Sequence, residues 1–201
     1  MNIEIRKLVP ELLDDYLHFF DTTPHSTNKD EHRCYCVCWC NDNYEDKDFS
    51  TAEKRRDIAI EYINGDNIQG YLAYSDNKVV GWCNTNTKSD CFECCSWQMF
   101  MGSVHKNESS PGIKVKSVFC FAIAPEVRGK GIAGLLLRRV CEDAEKDGFD
   151  FVEAYPNKEF IDAEEDFMGP AKLYEKLGFT ICYEFNKKLV VRKKLKKLRK
   201  I

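Results

Sequence analysis

The feature that most constrains this chain is a glycine-rich turn, R-G-K-G-I-A-G, at residues 128–134. It follows a strand-like apolar run at residues 116–124 and precedes a segment whose apolar residues repeat at helical spacing. At the start of a helix, unpaired backbone N–H groups and the helix dipole favour a phosphate, and Arg128 and Lys130 add positive charge beside it. The sequence therefore predicts an anion-binding turn between a buried strand and a helix.

Two motifs compete for these residues. From Gly129 onward, GKGIAG fits the dinucleotide-binding pattern G-x-G-x-x-G, and Glu153 follows at about the 20-residue spacing of that pattern. In dinucleotide-binding domains, however, the turn follows its strand tightly, whereas residues 125–128 intervene here. The chain beyond the turn also offers only one short helix before two terminal strands, too little for a doubly wound sheet. The dinucleotide interpretation is therefore disfavoured.

From Arg128 onward, the segment is R-x-x-G-x-A, and here the sequence resembles the GNAT superfamily of acetyl-CoA-dependent N-acetyltransferases. The resemblance extends over residues 116–185, through FAIAPEV, LLLRRV, VEAY and AKLYEKLGF. It implies that the turn binds the pyrophosphate of acetyl-CoA, the cosubstrate, and that the preceding strand lines the pantetheine arm. The cosubstrate-binding residues implied by the resemblance are Phe121, Ala122, Ile123, Arg128, Gly129, Lys130, Gly131, Ile132, Ala133 and Gly134.

The resemblance also implies the reaction, which is direct attack of a primary amine on the acetyl thioester in a ternary complex. The family's tyrosine at the position of Tyr174 protonates the departing thiolate, so Tyr174 is the predicted general acid. A core aromatic is the alternative for this residue. Glu153 is the first candidate for the general base, with Glu159 second and ordered water as a further alternative. An ion pair with a nearby Lys or Arg is an equal alternative for Glu153.

Length and the order of elements favour one domain. With 201 residues and 43% hydrophobic content, the chain can build one core, and division would leave marginal pieces. A capping box beginning at Ser50 opens one helix, and two strand-like runs flank a turn at residues 75–77. With the resemblance, this predicts a single α/β domain whose mixed, largely antiparallel sheet is flanked by helices. Residues 1–113 would form the acceptor-side half and residues 114–195 the acetyl-CoA-binding half.

Charge and hydropathy narrow the range of partners. The net charge of −3 gives no general attraction to nucleic acid or to an anionic membrane. The N-terminal residues, MNIEIRKL, have no apolar signal core, and no apolar run approaches the roughly 20 residues that cross a bilayer. We therefore expect a cytoplasmic protein that acts on a small-molecule or peptide amine and can form a homodimer through its terminal strands. Residues 192–201 contain seven Lys or Arg and are expected to form a solvated basic tail.

Eleven cysteines in such a chain are expected to be reduced thiols. Cys34, Cys36, Cys38 and Cys40 alternate along the sequence, so on a strand all four would face one side. Their spacing does not match common zinc sites, and no metal is predicted, although the zinc alternative stays open. Its further ligands would be Cys91, Cys94, Cys95, His32 and His105.

Core packing, a redox-sensing surface and a substrate-facing wall are the other interpretations of the thiols. With the polar insert at residues 86–112, they motivate a rival function, a non-catalytic acyl-CoA or metal/redox sensor on the same scaffold. Residues 156–169, PNKEFIDAEEDFMG, carry five carboxylates against Lys158 alone. In family members this connection lies near the acceptor mouth, where its charge would attract a cationic acceptor. A solvated surface loop is the alternative.

Overall fold

A seven-stranded sheet organises the protein. The computed structural model describes residues 1–23, 29–102, 104, 112–162 and 165–196. The strands are β1 (Glu4–Lys7), β2 (Gly70–Ser75), β3 (Lys78–Thr87), β4 (Val115–Ile123), β5 (Phe151–Ala154), β6 (Thr180–Phe185) and β7 (Lys188–Lys194). Their order across the sheet is β1-β2-β3-β4-β5-β7-β6, and every neighbouring pair is antiparallel except β4 and β5. The predicted single α/β domain with a largely antiparallel sheet is confirmed.

Helices cover both faces of this sheet. They are α1 (Leu13–Thr22), α2 (Ala52–Asn64), α3 (Cys95–Phe100), α4 (Ile132–Lys146) and α5 (Ala171–Lys176). The Tyr16 ring of α1 packs edge-on against Trp82 of β3, with 5.0 Å between ring centroids. The N-terminal residue of α4, Ile132, instead lies beside Gly81. Because neighbouring residues of a strand point to opposite faces, α1 and α4 lie on opposite sides of the sheet.

Gly81 sets how closely α4 approaches the sheet. A Cβ atom at this position would lie 2.9 Å from Ile123 Cδ1 and 3.1 Å from Ile132 Cγ2. Those distances are shorter than ordinary carbon contacts, so a side chain here would push α4 away from β3 and β4. The absent side chain therefore brings the beginning of α4 against the end of β4.

Local sequence signals place the β2–β3 hairpin as predicted, and they place α2 to within one residue. Asp76 and Asn77 both have positive φ, 49° and 62°, and form a two-residue turn between paired Ser75 and Lys78. The cap of α2 is Thr51, whose side chain accepts a hydrogen bond of 3.2 Å from the Lys54 amide. The cap was expected at Ser50, one residue earlier, and the two neighbouring hydroxyl residues explain the shift.

The single parallel pair in the sheet is short. β4 pairs with β5 only from Val115 to Val118, whereas β4 stays paired with β3 as far as Ile123. Beyond Val118, the edge of β4 that faces away from β3 therefore has no β5 partner. This divergence opens the sheet beside the residues that the sequence analysis assigned to the pantetheine arm.

The strand expected at residues 34–40 is absent, and this prediction is wrong. These residues form a series of turns, with positive φ at Tyr35 and Cys36. Their backbone carbonyls accept hydrogen bonds from elsewhere in the fold: the Tyr16 hydroxyl donates to the Tyr35 carbonyl at 2.6 Å, and the Ser96 amide donates to the Cys38 carbonyl at 3.0 Å. Because α1 and α3 satisfy the backbone, the segment has no need of a neighbouring strand.

The expected basic tail also changes. Residues 192–194 form the end of β7, where Arg192 pairs with Glu153, so the tail cannot begin at Arg192. Residues 197–201 of the predicted tail lie outside the described residues. Within the part of the chain that the structure describes, every helix is too short or too polar to cross a bilayer.

Candidate active site

A cavity of about 610 Å³ lies beside the divergence of β4 from β5. Four segments line it: the end of β4 (residues 120–123), the glycine turn, the cysteine loop (residues 33–40) and the β5–α5 connection (residues 155–170). The end of α1 contributes Phe19 and Phe20, and α3 contributes Ser96 and Phe100. The glycine turn and the cysteine loop, which are far apart in sequence, therefore meet at one cavity.

The glycine turn has the backbone that an anion site needs. Gly129 and Gly131 have φ of 75° and 83°, a conformation that glycine adopts without steric cost. A Cβ atom at either position would meet nothing within 4 Å, so the backbone conformation, and not crowding, calls for glycine. Gly131 is the N-cap of α4 and no side chain caps it, which leaves the first N–H groups of a 15-residue helix without a side-chain acceptor.

Six of the ten predicted cosubstrate-binding residues line the cavity: Phe121, Ala122, Ile123, Arg128, Gly129 and Ala133. Arg128 folds back against β4, where its Nε donates to the Ile123 carbonyl at 3.0 Å. The predicted residues outside the lining are Lys130, Gly131, Ile132 and Gly134. Lys130 and Gly131 are exposed at the turn, and Ile132 is buried in the core.

The open edge of β4 is already hydrogen-bonded at one position. The Phe121 amide donates to the Phe167 carbonyl of the β5–α5 connection at 2.7 Å. Since backbone groups alternate in direction along a strand, the amides of Phe121 and Ile123 both point away from β3, towards the side that β5 leaves open. The Phe167 carbonyl thus occupies a donor that the resemblance assigns to the pantetheine arm.

Tyr174 lies behind this contact. Its side chain is fully buried and is not part of the cavity lining. The hydroxyl donates a hydrogen bond to the Met168 carbonyl, and the ring packs edge-on against Phe179. Burial raises the pKa of Tyr174 well above its ordinary value, so the hydroxyl keeps its proton at neutral pH. Two consecutive carbonyls, at Phe167 and Met168, therefore accept from the Phe121 amide and the Tyr174 hydroxyl.

Glu153 is placed away from the cavity, which favours the ion-pair alternative over the expected general base. Its carboxylate is fully buried, with Lys88 Nζ 2.9 Å from Oε1 and Arg192 Nε 2.8 Å from Oε2. The Tyr155 hydroxyl donates to Oε1 at 2.9 Å. A carboxylate that is buried in the sheet and held by two cations has no access to an amine in the cavity. Glu159, the second candidate, is exposed and also lies outside the lining.

Four thiols form one wall of the cavity: Cys34, Cys36, Cys38 and Cys120. The pKa of Cys36 is raised well above its ordinary value, first through its hydrogen-bonding contact with Cys120, and burial raises the pKa of Cys38 to about 12. These two thiols are therefore uncharged at neutral pH. Cys91 and Cys94 are buried in the core instead. No three potential metal ligands cluster among the described residues, which do not include His105.

The acidic β5–α5 connection uses much of its charge internally. Asp166 is the one carboxylate of the described residues that lines the cavity. Its Oδ1 accepts from Asn157 Nδ2 at 2.9 Å and its Oδ2 accepts from the Ile161 amide at 2.6 Å. The Asp162 side chain accepts from the Glu165 amide at 2.9 Å. These contacts hold the connection in shape.

The sequence analysis missed several residues of the site. Nothing in the sequence marked Cys120 or the aromatic residues of α1 as site residues, because apolar periodicity does not separate a core position from a cavity wall. Arg33 precedes the first cysteine and carried no motif. Asp166 was noticed as part of an acidic run, but nothing in the run distinguishes it from its neighbours.

Comparison with known proteins decides the family. The acetyltransferase (GNAT) domain model matches residues 66–181, more than half of the chain. The chain belongs to the GNAT family of acetyltransferases. The matched region of this GNAT protein runs from before β2 to the beginning of β6, so it contains β4, the glycine turn and α5. Both α1 and the cysteine loop precede it, and the cavity wall that they form therefore lies outside the family match.

Solved GNAT structures share the fold at low sequence identity. The N-acetyltransferase PaiA of Thermoplasma acidophilum, determined in complex with coenzyme A, is 16% identical with a TM-score of 0.53, over 96% of this chain and 99% of that chain. A polyamine N-acetyltransferase of Drosophila melanogaster is 10% identical with a TM-score of 0.56, over 96% and 100%. An N-acetyltransferase of Staphylococcus aureus is 18% identical with a TM-score of 0.53, over 98% and 100%. No curated protein sequence matches the chain.

Proposed function

We propose that this GNAT protein transfers an acetyl group from acetyl-CoA to a primary amine by direct attack. The observation that carries the proposal is the continuity of the cavity. It runs from a positive-φ glycine turn at an uncapped helix N-terminus, along the open edge of β4, to a separate wall formed by α1 and the cysteine loop. One end of the cavity thus suits a phosphate-bearing cosubstrate, and the other end can receive a second substrate.

Acetyl-CoA would supply an acetyl group activated as a thioester. In the proposed complex, the N–H groups at the beginning of α4 and the side chain of Arg128 hold its phosphates. The edge of β4 at Phe121 and Ile123 aligns the pantetheine arm, and the Ile123 amide, which points to the open side, donates to the thioester carbonyl. Holding both reactants in one cavity replaces a bimolecular encounter, which is the main kinetic advantage of direct transfer.

The groups at the site determine where each proton goes during transfer. The amine nitrogen forms a bond to the acetyl carbon as the carbon–sulfur bond breaks, and the sulfur receives a proton. Tyr174 is the proposed donor, because its hydroxyl is protonated at neutral pH, and water returns a proton to the tyrosinate after transfer. To reach the sulfur, the hydroxyl must exchange its Met168 acceptor for the thiolate. The amine loses its proton to water, since Glu153 is held by Lys88 and Arg192.

A second candidate is an acyl-CoA-binding protein without transferase activity, such as a sensor. The observation in its favour is that the Phe121 amide and the Tyr174 hydroxyl are both hydrogen-bonded to the β5–α5 connection. If that connection never releases them, acetyl-CoA would bind at the turn without a donor for its sulfur.

Calorimetry and turnover separate the two candidates. Binding of acetyl-CoA and of CoA is measured by titration calorimetry, and acetylated amine and free CoA are then quantified by mass spectrometry over a broad amine panel. Direct product detection avoids thiol reagents, which would react with the eleven cysteines of the protein. Turnover of any amine supports transfer, and binding without turnover on every amine favours the sensor. Absence of acetyl-CoA binding would refute both.

A further inference from the structure

The chemistry of the cavity wall identifies the class of acceptor, on the condition that the proposed function holds. The wall opposite the glycine turn consists of aromatic side chains and thiols. The aromatic residues are Phe19, Phe20, Trp39, Phe100, Phe160 and Phe167. With the thiols beside them, they form a surface that offers contact area and few polar groups.

The aromatic character continues to the mouth of the cavity. Phe160 is 61% exposed and Phe100 is 54% exposed, although both line the cavity. Large exposed apolar side chains around a cavity indicate a binding site for an apolar ligand. Binding of such a ligand removes their apolar surface from water, which is favourable. Ile161 and Met99, their neighbours in sequence, are also exposed. Two exposed phenylalanines therefore stand at the mouth of the cavity despite the acidic composition of the β5–α5 connection.

The charged groups of the wall are already engaged. Three charged residues line the cavity within the described part of the chain: Arg33, Arg128 and Asp166. Arg33 pairs with Asp30 at 2.9 Å, and Arg128 Nε donates to the Ile123 carbonyl. Both oxygens of Asp166 accept hydrogen bonds from the β5–α5 connection. Among the residues that the structure describes, the wall thus presents to a second cationic group of an acceptor no carboxylate that is not already hydrogen-bonded.

Arg33 strengthens this discrimination. Its Nε is buried without a hydrogen-bond partner among the described groups, and its guanidinium, paired with the exposed Asp30, is a cation at the cavity. A polyamine or an aminoglycoside would place a further cation close to that charge. The cation would lose its hydration and would gain contact with apolar surface only, which costs free energy. An amine on an apolar body avoids this desolvation cost.

We propose that the acceptor is a primary amine carried on an apolar, aromatic body, bound between the Phe19–Phe20 end of α1, the cysteine loop and the Phe100 and Phe160 mouth. Phe160 and Phe100 are specificity-determining residues in this proposal. Both are far enough into solvent that their loss leaves the core intact.

The test compares amines and variants of the full chain. 2-Phenylethylamine and tryptamine are compared with 1,4-diaminobutane, spermidine and glycine, with acetyl-CoA saturating and products quantified by mass spectrometry. We expect kcat/KM to be at least tenfold higher for the two aromatic amines. In Phe160→Ala and Phe100→Ala, the KM for 2-phenylethylamine should rise several-fold, with kcat, the KM for acetyl-CoA and the Tm unchanged.

The matched control is Ile181→Ala, which removes an equally exposed apolar side chain (59%) from β6, outside the cavity lining. It should leave the KM for every amine unchanged. Higher kcat/KM for the diamines, or an unchanged KM for 2-phenylethylamine in both mouth variants, would overturn the proposed class while leaving transferase activity established. Calorimetric binding of 2-phenylethylamine to the CoA complex without turnover would instead uphold the apolar subsite and count against the transferase.

Discussion

Replacing Glu153 with glutamine distinguishes a structural carboxylate from a catalytic one. In Glu153→Gln, the neutral amide leaves the ammonium of Lys88 and the guanidinium of Arg192 facing each other across a buried site. Lys88 is only 4% exposed and Arg192 only 18%. Breaking a buried ion pair by removing one partner costs about 3–5 kcal/mol, because the remaining charge keeps its desolvation penalty. For a chain of this size, about 2–4 °C of Tm is lost per kcal/mol, so the Tm should fall by about 6 to 20 °C.

The assay is thermal and urea unfolding of Glu153→Gln beside Glu159→Gln, the same substitution at an exposed carboxylate of the neighbouring connection. Glu159→Gln should change the free energy of unfolding by less than about 0.5 kcal/mol. At a temperature where Glu153→Gln stays folded, its kcat and the acidic limb of its pH profile should match the wild type. A Tm within about 2 °C of the wild type would refute the ion-pair argument, and a large loss of kcat with loss of the acidic limb would restore Glu153 as the base.

Three further changes test the site and the core. Tyr174→Phe should lower kcat at least tenfold with the calorimetric affinity for CoA nearly unchanged, and an unaltered kcat would remove Tyr174 as the proton donor. Gly131→Ala forces an alanine to φ of 83° at the N-cap of α4 and should weaken CoA binding measured by calorimetry at least tenfold, whereas Gly112→Ala, with a similar φ of 82° outside the glycine turn, should not. Burial lowers the pKa of Lys116 to about 8, so below pH 8 the folded state bears a desolvated ammonium. The free energy of unfolding of Lys116→Met at pH 7 should therefore exceed that of the wild type, by on the order of 3 kcal/mol. This difference should narrow as the pH rises from 8 to 10, and a difference that does not change with pH would contradict the desolvation argument.

The parts of the fold that were predicted correctly are those specified by residues close together in the sequence. The glycines of the turn and the helical repeat after it lie within a few residues of one another, so β4, the turn and α4 could be placed directly. The turn at Asp76 and Asn77 likewise specifies its own hairpin. Where residues close in sequence determine one another's conformation, the pattern alone is enough.

Contacts between distant segments account for the errors. The alternating cysteines indicated a strand, but the backbone of the cysteine loop is satisfied by Tyr16, Ser96 and Asn84, and no pattern within the loop announces those donors. Glu153 met the expectations for a base by position, yet its role is decided by Lys88 and Arg192. The orientation of a buried side chain depends on which residues from distant parts of the sequence the fold places next to it.

The placement of β7 has a consequence for how this protein must be made. β7 is the last strand along the described chain, yet it lies inside the sheet, between β5 and β6. During translation, β5 leaves the ribosome well before residues 188–194. Until those residues emerge, the edge of β5 that faces away from β4 has no strand to pair with. An unpaired strand edge invites pairing with other chains. A stop codon placed before β7 would therefore yield a chain prone to aggregate even though its cavity-lining residues are all present.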